Sequence, residues 1–149
     1  MSAGGVARSE DPAFVARVVA AMYARDRVAQ ALDIGIEEVR TGYARCAMTV
    51  REEMLNGHDI CHGGYVFTLA DTAFAYACNS RNDVNVALQC SIAFNAPALA
   101  GDRLVATCEE RTKSKRTGTY DVTVTGTDGA TLALFRGTSY QVNAHVIRE

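Results

Sequence analysis

The stretch at residues 56–78, NGHDICHGGYVFTLADTAFAYAC, changes character halfway along its length. Its first part, up to His62, is polar and has the composition of a turn. After Gly63 and Gly64, almost every residue is apolar or small, and no further Gly or Pro interrupts the run. A run of this length, apolar nearly all round, predicts a buried helix of about four turns.

Asp71 is the one charged residue between Gly63 and Ser80 in the sequence. No Lys or Arg lies three or four residues to either side, so no ion pair along the helix can neutralise it. Burying an unpaired carboxylate is costly, and a perturbed carboxylate in an apolar setting is a candidate functional group. The alternative interpretation is that Asp71 points into solvent at the edge of the helix.

The start of this helix offers unpaired N–H groups and a partial positive charge. Gly63 and Gly64 carry no side chain to shield those groups, so a carbonyl oxygen can dock directly against them. A group that polarises a carbonyl, with a carboxylate that attacks it or activates water, is the minimum for acyl transfer. Gly63 and Asp71 are separated by about 12 Å along a helix. Two antiparallel copies of the helix would bring them together, which predicts a homodimer with interfacial sites.

The composition is that of one ordinary globular domain spanning residues 1–149, with 48% hydrophobic and 21% charged residues. A net charge of −2 gives no general attraction to nucleic acid or to anionic membranes. No apolar run reaches transmembrane length. The five cysteines have no paired spacing, so they are interpreted as free thiols in a reducing cytoplasm. Residues 1–10 are expected to be mobile.

Periodicity along the chain predicts α+β architecture. A helix begins near Asp11 and Pro12, and a second short helical piece follows through Ala31. Alternation with a period of two predicts strands at residues 32–37, 43–50, 84–95, 104–110, 119–125 and 131–142. In the third strand, six apolar residues are expected to face one way: Val84, Val86, Leu88, Cys90, Ile92 and Phe94. The economical packing is a six-stranded antiparallel sheet curled around the buried helix.

The motif within residues 56–75 resembles that of the hotdog-fold acyl-CoA thioesterases of the phenylacetic acid degradation (PaaI) type. Its matching positions are Asn56, Gly57, Cys61, His62, Gly63, Gly64, Phe67, Leu69, Ala70, Asp71, Ala73 and Ala75. The resemblance covers roughly residues 12–143 and implies a hotdog fold with an N-terminal helix, assembled as dimers that commonly pair into tetramers.

The resemblance also implies roles for three residues. Asp71 would be the nucleophile or general base, the Gly63 N–H would polarise the thioester carbonyl, and Asn56 would position the carbonyl or water. The implied substrate is phenylacetyl-CoA or a hydroxyphenylacetyl-CoA, so that coenzyme A enters as part of the substrate and no cofactor is expected. Further residues expected to contact substrate are Gly64, His62, His58, Asn85, Ala87 and Gln89.

A cluster of cations between two predicted strands is the candidate site for the CoA phosphates. The segment that contains these cations comprises Lys113, Ser114, Lys115, Arg116, Thr117 and Gly118, and Arg111 precedes it. Lys and Arg are charge partners for phosphate, and hydroxyl and backbone N–H groups are donors. The alternatives are an ordinary solvated hairpin and a nucleic-acid patch, and the absence of interleaved aromatic residues disfavours the patch.

Two other functions are compatible with this motif. A hotdog hydratase or dehydratase would pair a catalytic His with an acid across the dimer, and His58 lies thirteen residues before Asp71. A non-catalytic acyl-CoA-binding module would share the fold but would have no need of a buried carboxylate. A metal site at His58 and His62 is disfavoured, because a Gly-bearing loop is a poor frame for ligands.

Overall fold

The structure is a computed structural model that describes residues 8–148. Three α-helices, α1 to α3, span Pro12–Arg25, Arg27–Ala31 and Gly63–Cys78. Strands β1 to β6 span Gly35–Arg40, Tyr43–Thr49, Asp83–Phe94, Arg103–Lys113, Thr117–Thr125 and Thr131–His145. The strands form one antiparallel sheet in the order β1-β2-β4-β5-β6-β3. No helix within residues 8–148 has the length and hydrophobicity needed to cross a membrane.

The helix α3 lies against the inner face of the sheet and forms the centre of the core. A stripe of mostly small residues along this helix is fully or almost fully buried: Val66, Ala70, Ala73 and Ala77. Phe74 packs edge-on against Tyr120 of β5, with ring centroids 5.5 Å apart. Gly137 of β6 permits this approach, because a Cβ there would stand 2.9 Å from the Phe74 ring. The predicted wrapping of a sheet around one helix is confirmed.

The N-terminal helix α1 begins where the sequence predicted. Asp11 is the N-cap, and its side chain accepts a hydrogen bond from the Ala13 N–H at 3.0 Å, with Pro12 in the first turn. The mobility expected for residues 1–10 stays a prediction, and the last three of these residues lie in the described part of the chain. Arg8–Glu10 forms a short 3₁₀ turn, and the Ser9 carbonyl accepts a hydrogen bond from the Thr41 hydroxyl at 2.6 Å. Residues 1–7 lie outside the described part of the chain.

The first strand lies three residues later than predicted. Residues 32–37 alternate in polarity, but Leu32 caps the end of α2 and Asp33 has a φ of 52°. The Ile34 N–H then bonds the Ala29 carbonyl at 2.9 Å. The end of a helix and its closing turn therefore produce an apolar spacing that mimics a strand, and the true strand begins at Gly35.

The strand β3 does not present its six apolar residues on one face. A register shift between Ala87 and Gln89 leaves Leu88 as an extra, bulged residue. Beyond it, Ile92 pairs with the buried Phe135, whereas Val86 pairs with the exposed Tyr140. The bulge therefore turns Val86 to the outer face, where it is 50% exposed, and leaves Leu88 61% exposed. The predicted single apolar face is wrong because alternation cannot reveal an inserted residue.

Candidate active site

The loop before α3 is fixed by backbone hydrogen bonds that hold Asn56 in place. The Asn56 N–H bonds the Ile60 carbonyl at 2.9 Å, and the Asn56 Oδ1 accepts from the His58 N–H at 2.9 Å. The Cys61 N–H bonds the Ala98 carbonyl at 2.8 Å, which ties the loop to the segment after β3. Because Oδ1 is used within the loop, the amide Nδ2 of Asn56 is the group left to donate to a ligand.

The start of α3 leaves one backbone donor open. His62 is the N-cap, and its Nδ1 accepts the Gly64 N–H at 2.9 Å. The Tyr65 N–H bonds the His62 carbonyl at 3.0 Å. Within residues 8–148 the Gly63 N–H has no hydrogen-bond partner, so it is the donor available to a carbonyl oxygen at the positive end of the helix.

A groove of about 590 Å³ opens beside these two donors. Apolar side chains and backbone form most of its walls, and Asn56 and Gly63 lie at one side. The lining residues are Asn56, Ile60, Cys61, Gly63, Val66, Phe94, Asn95, Ala96, Pro97, Ala98 and Leu132. An apolar groove with a few convergent polar groups is the usual form of a small-molecule site. The structure therefore brings together Asn56 and Gly63 with the ring of Phe94, which the sequence analysis placed only on the apolar face of the third strand.

Gly63 is required here by close packing rather than by an unusual backbone angle. A Cβ at this position would stand 2.9 Å from Cζ of Phe94, closer than carbon atoms approach without one of them moving. Any larger residue would displace the Phe94 ring and narrow the path to the Gly63 N–H.

Asp71 lies in the middle of α3, partly buried, and has no hydrogen-bond or ion-pair partner in the described part of the chain. Burial raises the pKa of its carboxyl above the ordinary value. Burial, followed by the charge of Asp71, raises the pKa of the Cys90 thiol, so Asp71 lies near the middle of β3. Asp71 does not line the groove at Gly63, about two turns away. One chain alone therefore holds the carboxylate and the carbonyl donor apart.

The remaining predicted contact residues lie in several places. His62 is the helix cap, and its Nδ1 accepts the hydrogen bond from the Gly64 N–H, so both groups already have a partner. His58 is exposed on the loop and is absent from the groove wall. Asn85 donates from its side chain to the carbonyls of Cys78 and Asp83, so its amide closes the end of α3. Exposed Ala87 and Gln89 flank the bulge of β3.

The cationic segment forms the exposed hairpin between β4 and β5. Ser114 bonds Thr117 across the turn, and the Arg116 guanidinium donates to Asn143 Oδ1 at 3.1 Å. Exposed Lys113 and Lys115 complete the charged surface. Gly118, by contrast, is buried, and a Cβ at this position would stand 2.9 Å from the Tyr120 ring. Thr117 pairs with Tyr140 of β6, and Phe94 pairs with Ala133, seven residues earlier in the same strand. The hairpin is thus about 23 Å from the groove within one chain.

Metal binding finds no support in the described residues. Between residues 8 and 148, no group of three His, Cys, Asp or Glu side chains is arranged to hold a metal ion. The five cysteines are free thiols; four of them belong to the core around α3, and Cys90 packs against it.

A six-stranded antiparallel sheet around one central helix, with a binding groove at the start of that helix, defines a hotdog-fold protein. The sequence pattern of the thioesterase superfamily matches residues 58–133, and the chain belongs to this superfamily. It is 48% identical over 129 residues to the acyl-coenzyme A thioesterase PaaI of Escherichia coli (strain K12), covering 87% of this chain and 92% of that protein. The protein is an acyl-CoA thioesterase of this kind.

Solved structures support the same assignment. The E. coli PaaI protein from the phenylacetic acid degradation operon superposes with a TM-score of 0.87 at 46% identity, over 88% of this chain and 95% of that one. A hypothetical thioesterase protein from Streptococcus pneumoniae TIGR4, solved with coenzyme A, superposes with a TM-score of 0.72 at 27% identity, over 75% and 90% of the two chains. The hydratase and the non-catalytic binding module are accordingly set aside.

Proposed function

We propose that this thioesterase hydrolyses arylacetyl-CoA thioesters, such as phenylacetyl-CoA or a hydroxyphenylacetyl-CoA, in the degradation of phenylacetate. The observation that carries the hydrolytic site is the Gly63 N–H, left open at the start of a buried helix beside Asn56 and an apolar groove. The likeness to the E. coli PaaI protein supports the arylacetyl group.

In the proposed reaction the thioester oxygen accepts hydrogen bonds from the Gly63 N–H and from Nδ2 of Asn56. Both donors hold the oxygen as it gains negative charge. Asp71 either attacks the carbonyl carbon to form an anhydride that water cleaves, or takes a proton from the water that attacks. In both routes the carbon–sulfur bond breaks, CoA leaves as a thiolate, and the acyl group leaves as a free acid. CoA is a good leaving group, which reduces the need for a separate general acid.

Two copies of the chain would complete this site. Strand β3 lies at the edge of the sheet, so its outer row of N–H and C=O groups is available for pairing with another strand. Along β3, Phe94 contacts the Gly63 end of the helix, whereas Cys90 is nearer to Asp71. Antiparallel pairing of two β3 strands about a two-fold axis would bring the Asp71 region of one chain toward the Gly63 groove of the other.

The same pairing accounts for the distant cationic hairpin. Thr117 of the hairpin and Val86 of β3 both pair with Tyr140 of β6. The hairpin therefore lies at the same position along the strands as the part of β3 that is nearer to Asp71. In the dimer, the hairpin of one copy would therefore approach the groove of its partner together with Asp71. We assign Lys113, Lys115 and Arg116, with Ser114 and Thr117, to the CoA phosphates in that arrangement, since exposed cations and hydroxyls suit phosphate oxygens. A tetramer would be a pair of such dimers.

Mixed dimers test the shared site. Asp71→Asn and Gly63→Ala chains are each expected to retain only a small fraction of wild-type activity. A dimer containing one of each would have one site with both defects and one with neither, so mixing the two variants should restore activity. If Asp71 and Gly63 of the same chain acted together, both sites would carry a defect and mixing would restore nothing. Sedimentation of the wild-type protein would establish whether it forms dimers or tetramers.

The substrate is tested by release of free thiol from four thioesters, followed with a chromogenic thiol reagent. These are phenylacetyl-CoA, a hydroxyphenylacetyl-CoA, benzoyl-CoA and a medium-chain acyl-CoA, with the Asp71→Asn variant as control. We expect the arylacetyl thioesters to have the highest kcat/KM. Hydrolysis of the medium-chain thioester alone would leave the site intact and overturn the arylacetyl assignment.

Three further parts of the proposal concern the chain as a whole. We infer a single catalytic domain and a reaction that needs no cofactor beyond the CoA of its substrate. The five free cysteines fit a protein of the reducing cytoplasm.

A further inference from the structure

One face of the Phe94 ring, at its tip, lies over Gly63. The three ring atoms nearest to the position of a Cβ on Gly63 are Cζ at 2.9 Å, Cε1 at 3.2 Å and Cε2 at 3.4 Å. Because the two Cε atoms are almost as close as Cζ, this Cβ position lies above the plane of the ring at its tip, so one face of the ring covers the helix start. The Phe94 side chain also lines that groove and is 56% exposed. With one face against Gly63 and more than half of the side chain exposed, the opposite face of the ring is available to a ligand.

The backbone beneath this ring is firmly placed. Phe94 is the last residue of β3 and pairs with the buried Ala133. Just beyond it, the N–H groups of Asn95 and Ala96 both bond the Leu132 carbonyl, at 2.7 and 3.2 Å. The position of the ring relative to the Gly63 N–H is thus set by the sheet rather than by a mobile loop. An aromatic face fixed next to the carbonyl-binding N–H would contact the acyl group of a bound thioester.

We propose that Phe94 is a specificity-determining residue that selects planar acyl groups by stacking them against one face of its ring. This inference rests on the proposed function, since it assumes that the thioester oxygen bonds the Gly63 N–H. The acyl group then lies beside Phe94, where an aryl ring can adopt the offset or edge-to-face geometry that aromatic pairs prefer. A saturated ring of the same carbon number has no flat face and gains only apolar contact.

The test compares two thioesters with the same number of carbon atoms, one with a planar aromatic ring and one with a saturated, non-planar ring. For each enzyme, kcat/KM is measured for phenylacetyl-CoA and for cyclohexylacetyl-CoA, and the ratio is the readout. Phe94→Leu and Phe94→Met remove the aromatic face but keep an apolar side chain, whereas Phe94→Tyr keeps the face. Leu99→Ala is the matched control, because Leu99 is a 52% exposed apolar residue in the segment after β3 that does not line the groove.

We expect wild type to prefer phenylacetyl-CoA, and Phe94→Leu and Phe94→Met to reduce that preference by roughly two- to tenfold, the factor that an aromatic pair supplies. Phe94→Tyr and Leu99→Ala should keep the wild-type ratio. Two non-aromatic variants are used so that a folding defect in one does not decide the result. The proposal is overturned if the ratio is unchanged in both of them, or if wild type hydrolyses the two thioesters equally well.

The outcomes also separate this inference from the proposed function. If wild type hydrolyses benzoyl-CoA but neither phenylacetyl-CoA nor cyclohexylacetyl-CoA, the arylacetyl assignment fails. Benzoyl-CoA and cyclohexanecarbonyl-CoA then supply the ratio, with the same expectations for each variant. If wild type hydrolyses only straight-chain thioesters, both proposals are wrong and the thioesterase assignment alone remains.

Discussion

At the C-terminal end of α3, polar groups are satisfied in a dense network, whereas at its N-terminal end a donor is left open beside a groove. The Asn79 amide donates to the Ala75 carbonyl at 2.8 Å, and the Ser80 hydroxyl joins the Ala77 carbonyl to the Gly42 N–H. Next in sequence, Arg81 makes two hydrogen bonds to Glu110, at 2.7 and 2.9 Å. At the other end, the Gly63 N–H faces the groove without a partner among the described residues.

The contrast separates anchoring from chemistry within one helix. A buried polar group without a partner destabilises a fold, so native structures satisfy almost all of them. The C-terminal network follows that rule and fixes α3 against β4 and β5. The open Gly63 N–H and the unpaired Asp71 depart from it at the two positions that the proposed reaction uses. Variants at the two ends should therefore affect different quantities.

The largest effect is expected at Asp71. Asp71→Asn keeps the size of the side chain and removes the carboxylate, so kcat should fall by about 10²- to 10⁴-fold, the range of acid–base contributions. Thermal unfolding should change little, because the carboxylate has no hydrogen-bond partner in residues 8–148. Asp128→Asn makes the same chemical change in an exposed turn and should keep full activity. Wild-type turnover by Asp71→Asn would refute the proposed mechanism.

The second largest effect on activity is expected from Gly63→Ala, which changes the open N-terminal end of α3. Gly63→Ala puts a Cβ against the Phe94 ring, and misplacing the donor should lower kcat/KM by about 10²-fold, as the loss of one oxyanion donor does. The double variant Gly63→Ala with Phe94→Ala relieves the collision and should regain stability without regaining activity. Recovery of activity in the double variant would mean that Gly63 is needed only to accommodate Phe94.

A smaller effect, on stability alone, is expected at Arg81. Arg81→Met removes two hydrogen bonds to Glu110, whose side chain is 20% exposed, and should lower the free energy of unfolding by about 2 kcal/mol. The kcat of the folded enzyme should not change. Arg136→Met is the matched control, since Arg136 makes a similar pair of bonds to Asp121 with its own side chain 59% exposed. That change should cost roughly 1 kcal/mol or less. Urea titration gives both values, and equal losses would contradict the comparison.

The smallest effect is a difference in pH dependence between the two carboxylates. The hydrogen bonds from Arg81 lower the pKa of Glu110, so its contribution to stability is present above its unfolded pKa and is lost as the pH falls. Burial raises the pKa of Asp71, so its ionisation destabilises the fold as the pH rises. Asp71→Asn should therefore be slightly more stable than wild type at pH 7, and this advantage should vanish near pH 4. Thermal midpoints at the two pH values measure it, and an advantage confined to pH 4 would show the opposite sign.

Sequence reasoning predicted the features that depend on spacing within one element. The apolar run from Gly63 was predicted as a buried helix, and the eight-residue interval between Gly63 and Asp71 indicated that one chain cannot join them. Alternation located most of the sheet. These predictions succeeded because helix and strand periods follow directly from backbone geometry.

What sequence reasoning missed depends on contacts between elements. The bulge at Leu88 reverses the face of β3, and nothing in the alternation marks it. The use of the Gly64 N–H by His62 became evident only from the geometry of the cap. Phe94 ends a strand before Asn95, Ala96 and Pro97, a signal of a strand end, but its approach to Gly63 depends on how β3 crosses the start of α3.

The order of strands in the sheet has a consequence for how the chain folds. Thr49 of β2 pairs with Arg103 of β4, so the whole of α3 and β3 is looped out between two adjacent strands. Contacts between residues far apart in sequence form slowly, because a long loop must close first. We expect the local β4-β5-β6 meander to form early and β3 to dock on β6 late. Pulsed hydrogen exchange during refolding should then protect amides of β5 before those of β3, and the strand that borders the groove would be among the last parts of the sheet to be completed.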